Sequence, residues 1–198
     1  MRKFWVLFAR EVTSFLRTPI AYVVAFYFLL LTGFNFLSAV SLLNRAPTEV
    51  TVVEAFFNTV IFWFTFILVF PLITMRVYAE EFRMGTVEAL ATAPVRDIQI
   101  VLAKYCGTLF FYVLLWLPSV GYFVAFQWIT GEPAAAGPWW GGYAMLLLVG
   151  MFYLAIGNLA SALTRDQINA AVIAFSAVSL AFFMSLLSFV VPATSPYL

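Results

Sequence analysis

The chain has 198 residues, 65% of them hydrophobic and 10% charged, with a mean hydropathy of +1.02 and a formal net charge of +1. Soluble domains carry roughly 25% charged residues, and a soluble core of this length has no room for five separate charge-free runs of twenty or more residues. The composition therefore excludes a soluble globular protein and defines an integral membrane protein.

The first seventeen residues form an element of their own. At 100° per residue Phe4, Trp5, Phe8, Val12, Phe15 and Leu16 share one helical face, and Arg2, Lys3, Arg10, Thr13 and Arg17 the other. This pattern predicts an amphipathic helix over 1–17 lying in the membrane interface with its cations toward lipid headgroups. A basic flank that only sets topology is the alternative. Thr18-Pro19 breaks the helix before the first span.

Spans are expected at 20–43, 55–75, 105–129, 139–163 and 168–191, none of which contains Asp, Glu, Lys, Arg or His. Each reaches the length of about twenty apolar residues that a helical crossing needs. The first exceeds the ~7 to 15 residues of a signal-peptide core, so it is expected to stay in the membrane. Strands of a membrane barrel would be about ten residues long and alternate in polarity. These runs are apolar all round, which leaves an all-α helical bundle with 1–198 as a single transmembrane domain.

Arg2, Lys3, Arg10, Arg17, Arg76, Arg83, Arg96, Lys104 and Arg165 fall on one side of this topology, and only Arg45 on the other. The positive-inside rule then puts the N-terminus in the cytoplasm. Five spans leave the chain end outside after 192–198, so a sixth span is expected beyond this sequence, with a five-span protein as the alternative. The outer connections, 44–54 and the Gly/Pro/Ala turn 131–138 between Trp128 and Trp139-Trp140, are too short for a ligand-binding domain.

Segment 76–104 holds eight of the nineteen charged side chains: Arg76, Glu80, Glu81, Arg83, Glu88, Arg96, Asp97 and Lys104. Gly85 punctuates it, Thr86 is suited to cap a short following helix with Glu88 in the first turn, and Pro94 limits that helix to about two turns. A second stretch, 95–104, leads into the third span. A short rigid helix between two spans is suited to passing a push from a soluble partner into the bilayer. An amphipathic connector with solvated charges is the alternative.

Several chemistries are excluded. Neither Lys3, after Arg2, nor Lys104, after Ala103, follows a glycine as the lysine of a P-loop does. With no histidine, Cys/His zinc sites and intramembrane metalloprotease chemistry are impossible, and a single cysteine, Cys106, forms no internal disulfide. Spans without ionisable residues argue against ion coupling. Asn35, Asn58, Thr59, Thr65 and Asn158 are read as helix–helix contacts rather than substrate ligands, and Gly157, Ser161, Ala170, Ala174, Ala177 and Ala181 as small residues for close helix packing. The twenty-three phenylalanines are read as lipid-facing or core, with lining of a lipid-substrate route as the alternative.

The run Glu80-Glu81-x-Arg83-x-Gly85-Thr86-x-Glu88-x-Leu90-x-Thr92-x-Pro94-Val95 resembles the cytoplasmic segment after the second span of ABC-2 type permeases. The stretch Gly157-Asn158-Leu-Ala-Ser161-Ala-Leu163-Thr164-Arg-Asp-Gln167 resembles the turn joining their fourth and fifth spans. The closest likeness is to the gliding-motility-associated permease group, and it covers the whole chain, although that family usually has six spans. The resemblance implies a type V exporter-like bundle in the bacterial inner membrane, with 85–92 as the coupling helix docking in a groove of a separate cytoplasmic ABC ATPase dimer. ATP and Mg would be bound by that partner, with no cofactor or catalytic site on this chain. Glu80, Glu81, Arg83, Gly85, Thr86, Glu88, Leu90, Thr92 and Pro94 become the implied coupling residues, with Ser161, Thr164 and Gln167 in the second cytoplasmic turn. A second permease, identical or related, is implied as well. An auxiliary subunit and a bilayer fit the same picture; nucleic acid does not. A non-transporting scaffold or mechanotransmitter anchoring an ATPase is the alternative function, with an ion-coupled carrier as a third.

Overall fold

The computed structural model describes residues 2–44, 51–86, 95–131 and 136–190, the side chains of 2, 136 and 185–190 excepted. The described chain is helical: α1 (Arg2–Arg17), α2 (Pro19–Leu43), α3 (Val52–Asn58), α4 (Val60–Thr74), α5 (Ala79–Met84), α6 (Asp97–Thr130), α7 (Ala136–Ala162) and α8 (Gln167–Val190). Five of the helical stretches are long and apolar enough to cross a bilayer, as expected. The first, third, fourth and fifth are α2, α6, α7 and α8; the second runs from α4 into α5 as Val60–Met84.

Local chemistry sets the boundaries. Thr18 is extended at φ −93° and ψ 132°, and Pro19 opens α2, where a missing N–H costs nothing. The second span departs from the uninterrupted run expected over 55–75. Thr51 and Glu54, assigned to a loop by composition, form a reciprocal capping box: the Thr51 N–H donates to Glu54 Oε2 at 2.9 Å, and the Glu54 N–H to Thr51 Oγ1 at 3.3 Å. That nucleates α3, which ends when Thr59 turns extended at ψ 139° and α4 starts afresh.

The third span also begins earlier than the apolar run. Helix α6 spans 34 residues from Asp97, about 51 Å at 1.5 Å per residue. That exceeds a hydrocarbon core of about 30 Å, so its first turns, including Lys104, form a pillar beyond the apolar layer. The stretch 95–104 is thus not a separate helix but the base of the span from Asp97 onward.

Helix α4 is the hub, packed on α2, α6, α7 and α8. Phe62, Phe66 and Phe70 stack along it toward Trp116, Tyr112 and Tyr153. Gly150 makes room for one of these rings, because a Cβ there would lie 2.4 Å from Tyr112, whose hydroxyl donates to the Leu146 carbonyl at 2.9 Å. The phenylalanines divide between core (Phe28, Phe56, Phe66, Phe70) and exterior (Phe26, Phe34, Phe64, Phe183).

Polar residues within the spans divide too. Asn35 donates to the Phe56 carbonyl at 3.1 Å and Asn158 to Thr108 at 3.2 Å, each joining two elements. Thr59 and Thr65 instead bond carbonyls of Ala55 and Ile61 one turn back, and Asn58 is exposed, so among the described residues these three show no interhelical hydrogen bond. Ala170 and Ala174 are fully buried on α8, which packs on α4 and α7; Ala177 and Ala181 are half-buried.

Candidate functional site at the basic end

The end of the bundle carrying Arg76, Lys104 and Arg165 gathers charge from three elements distant in sequence. Helix α1 packs chiefly on α6, with Phe8 edge-on to Phe110 and Phe15 stacked on Phe111 at 5.4 Å. Its aromatic stripe therefore packs in part against protein, while Trp5 points outward. Glu11 lies in that same stripe, one turn from Phe8 and from Phe15, so packing α1 on α6 buries a carboxylate.

Lys104, 1% exposed, meets it. Its Nζ lies 3.3 Å from Glu11 Oε1, 2.9 Å from Glu81 Oε1 and 2.9 Å from the Val77 carbonyl, and 5.2 Å from the centroid of the Tyr78 ring. An ammonium has three N–H donors, and here three oxygens surround it; a buried lysine is tolerable only when so satisfied. Arg10 approaches Glu81 from the rim at 3.5 Å, and the Arg76 Nε donates to Glu80 at 2.9 Å. Burial raises the Glu11 pKa above its ordinary value; Lys104 opposes the shift and the Glu81 charge adds to it.

These side chains wall a cavity of about 360 Å³ between α1, the α4–α5 junction and the start of α6, lined also by Ser14, Arg17, Thr18 and Thr86. Lys104 is therefore not one of a set of solvated loop charges but the tie at the centre of this site.

Ser161 holds the other flank. Its hydroxyl, fully buried in the last turn of α7, accepts the N–H groups of Tyr78 at 3.0 Å and Ala79 at 3.2 Å and lies 3.3 Å from the Met75 carbonyl it donates to. One side chain thus satisfies the backbone where α4 gives way to α5. Close approach is allowed by Gly157, where a Cβ would lie 2.3 Å from Thr74 Oγ1. In the following turn Thr164 accepts the Asp166 N–H at 3.2 Å, and Gln167 opens α8.

The remaining sequence-derived residues fall as follows. Glu80 and Glu81 are half-buried and occupied by Arg76 and Lys104. Arg83, Gly85 and Thr86 are exposed at the tip of α5, where Gly85 adopts φ +69° and ends the helix. The Thr86 hydroxyl reaches back to the Glu81 carbonyl at 3.4 Å; the helix it was expected to cap lies outside the described residues. Glu88, Leu90, Thr92 and Pro94 lie outside the described residues. Sequence reasoning missed the Glu11–Lys104 contact; the available signal was a lone carboxylate in the Phe4–Phe8–Phe15 stripe.

A bundle of five apolar crossings with a charged junction at one end defines a multi-pass α-helical membrane protein. The sequence profile of the ABC-2 family transporter proteins matches residues 39–198, all of the chain but α1 and most of α2. The chain belongs to that family, and with it to the membrane permease components of ABC transporters, which work with an ABC ATPase. No curated protein matches it.

Proposed function

We propose that this chain is the transmembrane subunit of an ATP-driven ABC-2 exporter in the bacterial inner membrane, with its N-terminus and basic end in the cytoplasm. A second permease, identical or related, would complete the pathway. A cytoplasmic dimer of ABC ATPases would bind ATP and Mg and carry the catalysis. The likeness of the chain as a whole to gliding-motility-associated permeases suggests that subgroup.

The observation that carries this reading is the division of α5 into a clamped base and a free tip. Its base is tied to α6 through Lys104 and to α7 through Ser161, whereas Arg83, Met84, Gly85 and Thr86 are exposed. A push on the tip, or on 87–94 beyond it, reaches α4, α6 and α7 at once. Closure of the ATPase dimer around ATP would supply that push and shift the ends of the second and third spans.

The test is to purify the chain from its native membrane in mild detergent, identify a stoichiometric P-loop partner by mass spectrometry, and reconstitute both in vesicles. ATP-dependent movement of a solute or lipid is expected. In the double variant Glu88→Arg/Gly85→Pro, permease-dependent ATPase activity should disappear while membrane insertion persists; normal coupling would overturn the docking assignment. A partner with ATPase activity but no transported species would favour the scaffold, and transport driven by ion gradients without any ATPase would favour a carrier.

A further inference from the structure

We infer that α1 is a membrane-responsive strap: its outer apolar edge is seated in the acyl boundary of the leaflet at the basic end, and its hold on Lys104 and Glu81 makes α5 sensitive to the thickness of that leaflet.

The surface of α1 divides into three edges. Phe4, Phe8, Glu11 and Phe15 fall within about 60° of one another on the helix, and this edge docks on α6. Trp5, Ala9, Val12 and Leu16 make a second apolar edge about 100° further round. Docking leaves it uncovered, with Trp5 64% and Leu16 39% exposed. Arg10, Ser14 and Arg17, also exposed, make the third.

The two free edges point opposite ways along α6, which runs from its charged base into the apolar crossing. Trp5 shares an apolar groove of about 350 Å³ with Leu109, Phe110 and Val113, and Leu16 shares a separate one of about 150 Å³ with Phe111, Leu115 and Pro118. Val113 lies about 14 Å deeper than Lys104 at 1.5 Å per residue. Arg10, Ser14 and Arg17 instead share the charged cavity with Lys104 and Glu81. The apolar edge therefore faces hydrocarbon and the cationic edge faces water. Phe8 and Phe15, two turns apart on α1, meet the adjacent Phe110 and Phe111, so α1 crosses α6 instead of running along it. Pro19, two residues past the end of α1, opens the first span, which fixes α1 at the level where the chain enters the bilayer. A helix lying flat there, apolar edge inward and cations outward, matches a lipid surface, with acyl chains filling the two grooves.

The strap is firmly tied. A Cβ on Gly107 would lie 2.9 Å from the Glu11 Cβ, so the two helices nearly touch. Glu11 reaches Lys104 at 3.3 Å and Arg10 reaches Glu81 at 3.5 Å, and Glu81 belongs to α5. In a thinner bilayer the acyl boundary moves toward the midplane and draws the apolar edge with it. Lys104 and Glu81 stand on the water side of α1, so both contacts lengthen and α5 loses one of its ties.

The test uses the full chain in phosphatidylcholine vesicles, with Cys106→Ser removing the single native thiol. A spin label on Trp5→Cys should be relaxed mainly by oxygen, and one on Ser14→Cys mainly by a water-soluble nickel chelate. Equal nickel access at the two positions, or dipolar broadening between Trp5 labels on two chains, would overturn the proposal, the second by putting another copy of the chain on this edge. Amide exchange in α5 should be faster by about fivefold in dimyristoleoyl than in dioleoyl vesicles, the effect of a few ångströms of mismatch. Trp5→Ser/Leu16→Ser, a change at two exposed residues, should abolish that difference. A natural chain whose α5 exchange ignores bilayer thickness, or a double variant that responds as the natural chain does, would overturn the link to α5. Neither readout involves an ATPase or a transported species, so failure here is separate from failure of the exporter reading.

Discussion

Lys104 Nζ stands 2.9 Å from Glu81 Oε1 and 3.3 Å from Glu11 Oε1, so one ammonium ties the N-terminal helix and the end of the second span to the base of the third. Removing it leaves two half-desolvated carboxylates facing each other. Breaking a buried pair from one side costs about 3 kcal/mol or more, so Lys104→Met should lower stability by about that amount in denaturant titrations in mixed micelles. The double variant Lys104→Met/Glu11→Gln should recover part of the loss. Equal stability of Lys104→Met and the natural chain would show that the cluster is hydrated and contributes little.

Glu11 makes the same cluster pH-sensitive, and the sign follows from the direction of its shift. Burial raises its folded-state pKa above the ordinary 4.5, so the folded chain keeps a proton that the unfolded chain has lost. Its contribution to stability is complete below pH 4.5 and declines as pH rises through the folded-state value. Glu11→Gln cannot titrate. Its melting temperature should therefore fall less than that of the natural chain as pH is raised from 4.5 to 7. Parallel profiles for the two proteins would remove Glu11 as the source.

The spans were legible because bilayer thickness sets a length that any sufficiently apolar run displays. The faces were not: runs such as 55–75 are apolar all round, and nothing local says that Phe66 packs inward while Phe64 faces out. The start of α3 was legible in principle, as the Thr51-x-x-Glu54 capping box is a local signal, but composition alone assigned those residues to a loop. The Glu11–Lys104 contact joins positions 93 apart and depends on how α1 docks, which no periodicity encodes. Of the residues proposed for coupling, the family resemblance grouped Glu80 and Glu81 with Arg83, Gly85 and Thr86. Only the fold separates the pair held by Lys104 and Arg76 from the exposed tip.

Ser161 gives the α4–α5 junction a sharper test. Ser161→Ala leaves the Tyr78 and Ala79 N–H groups without their acceptor in a buried position. An unsatisfied buried donor costs about 1–3 kcal/mol. Local opening at Tyr78 and Ala79 should become easier by about 2 kcal/mol, seen as roughly thirtyfold faster amide hydrogen exchange there, with α2 amides unchanged. Exchange that accelerates equally throughout the protein would indicate global destabilisation instead of a loosened α4–α5 junction.

The neighbouring contact predicts an incomplete rescue. A Cβ on Gly157 would lie 2.3 Å from Thr74 Oγ1, 2.8 Å from its Cγ2 and 2.8 Å from its Cβ. Gly157→Ala should therefore force α4 and α7 apart and cost about 1–3 kcal/mol, the usual range for overpacking. Truncating Thr74 to alanine removes the first two clashes and leaves the third, because alanine keeps its Cβ. Gly157→Ala/Thr74→Ala should thus recover only part of the loss, and Gly157→Ala/Thr74→Gly more, despite the poorer helix propensity of glycine. Denaturant titration of the four variants, with Thr74→Gly as the reference for propensity, checks the order. Full recovery with Thr74→Ala would mean that the hydroxyl and methyl, rather than backbone separation, set the limit on how closely these helices approach.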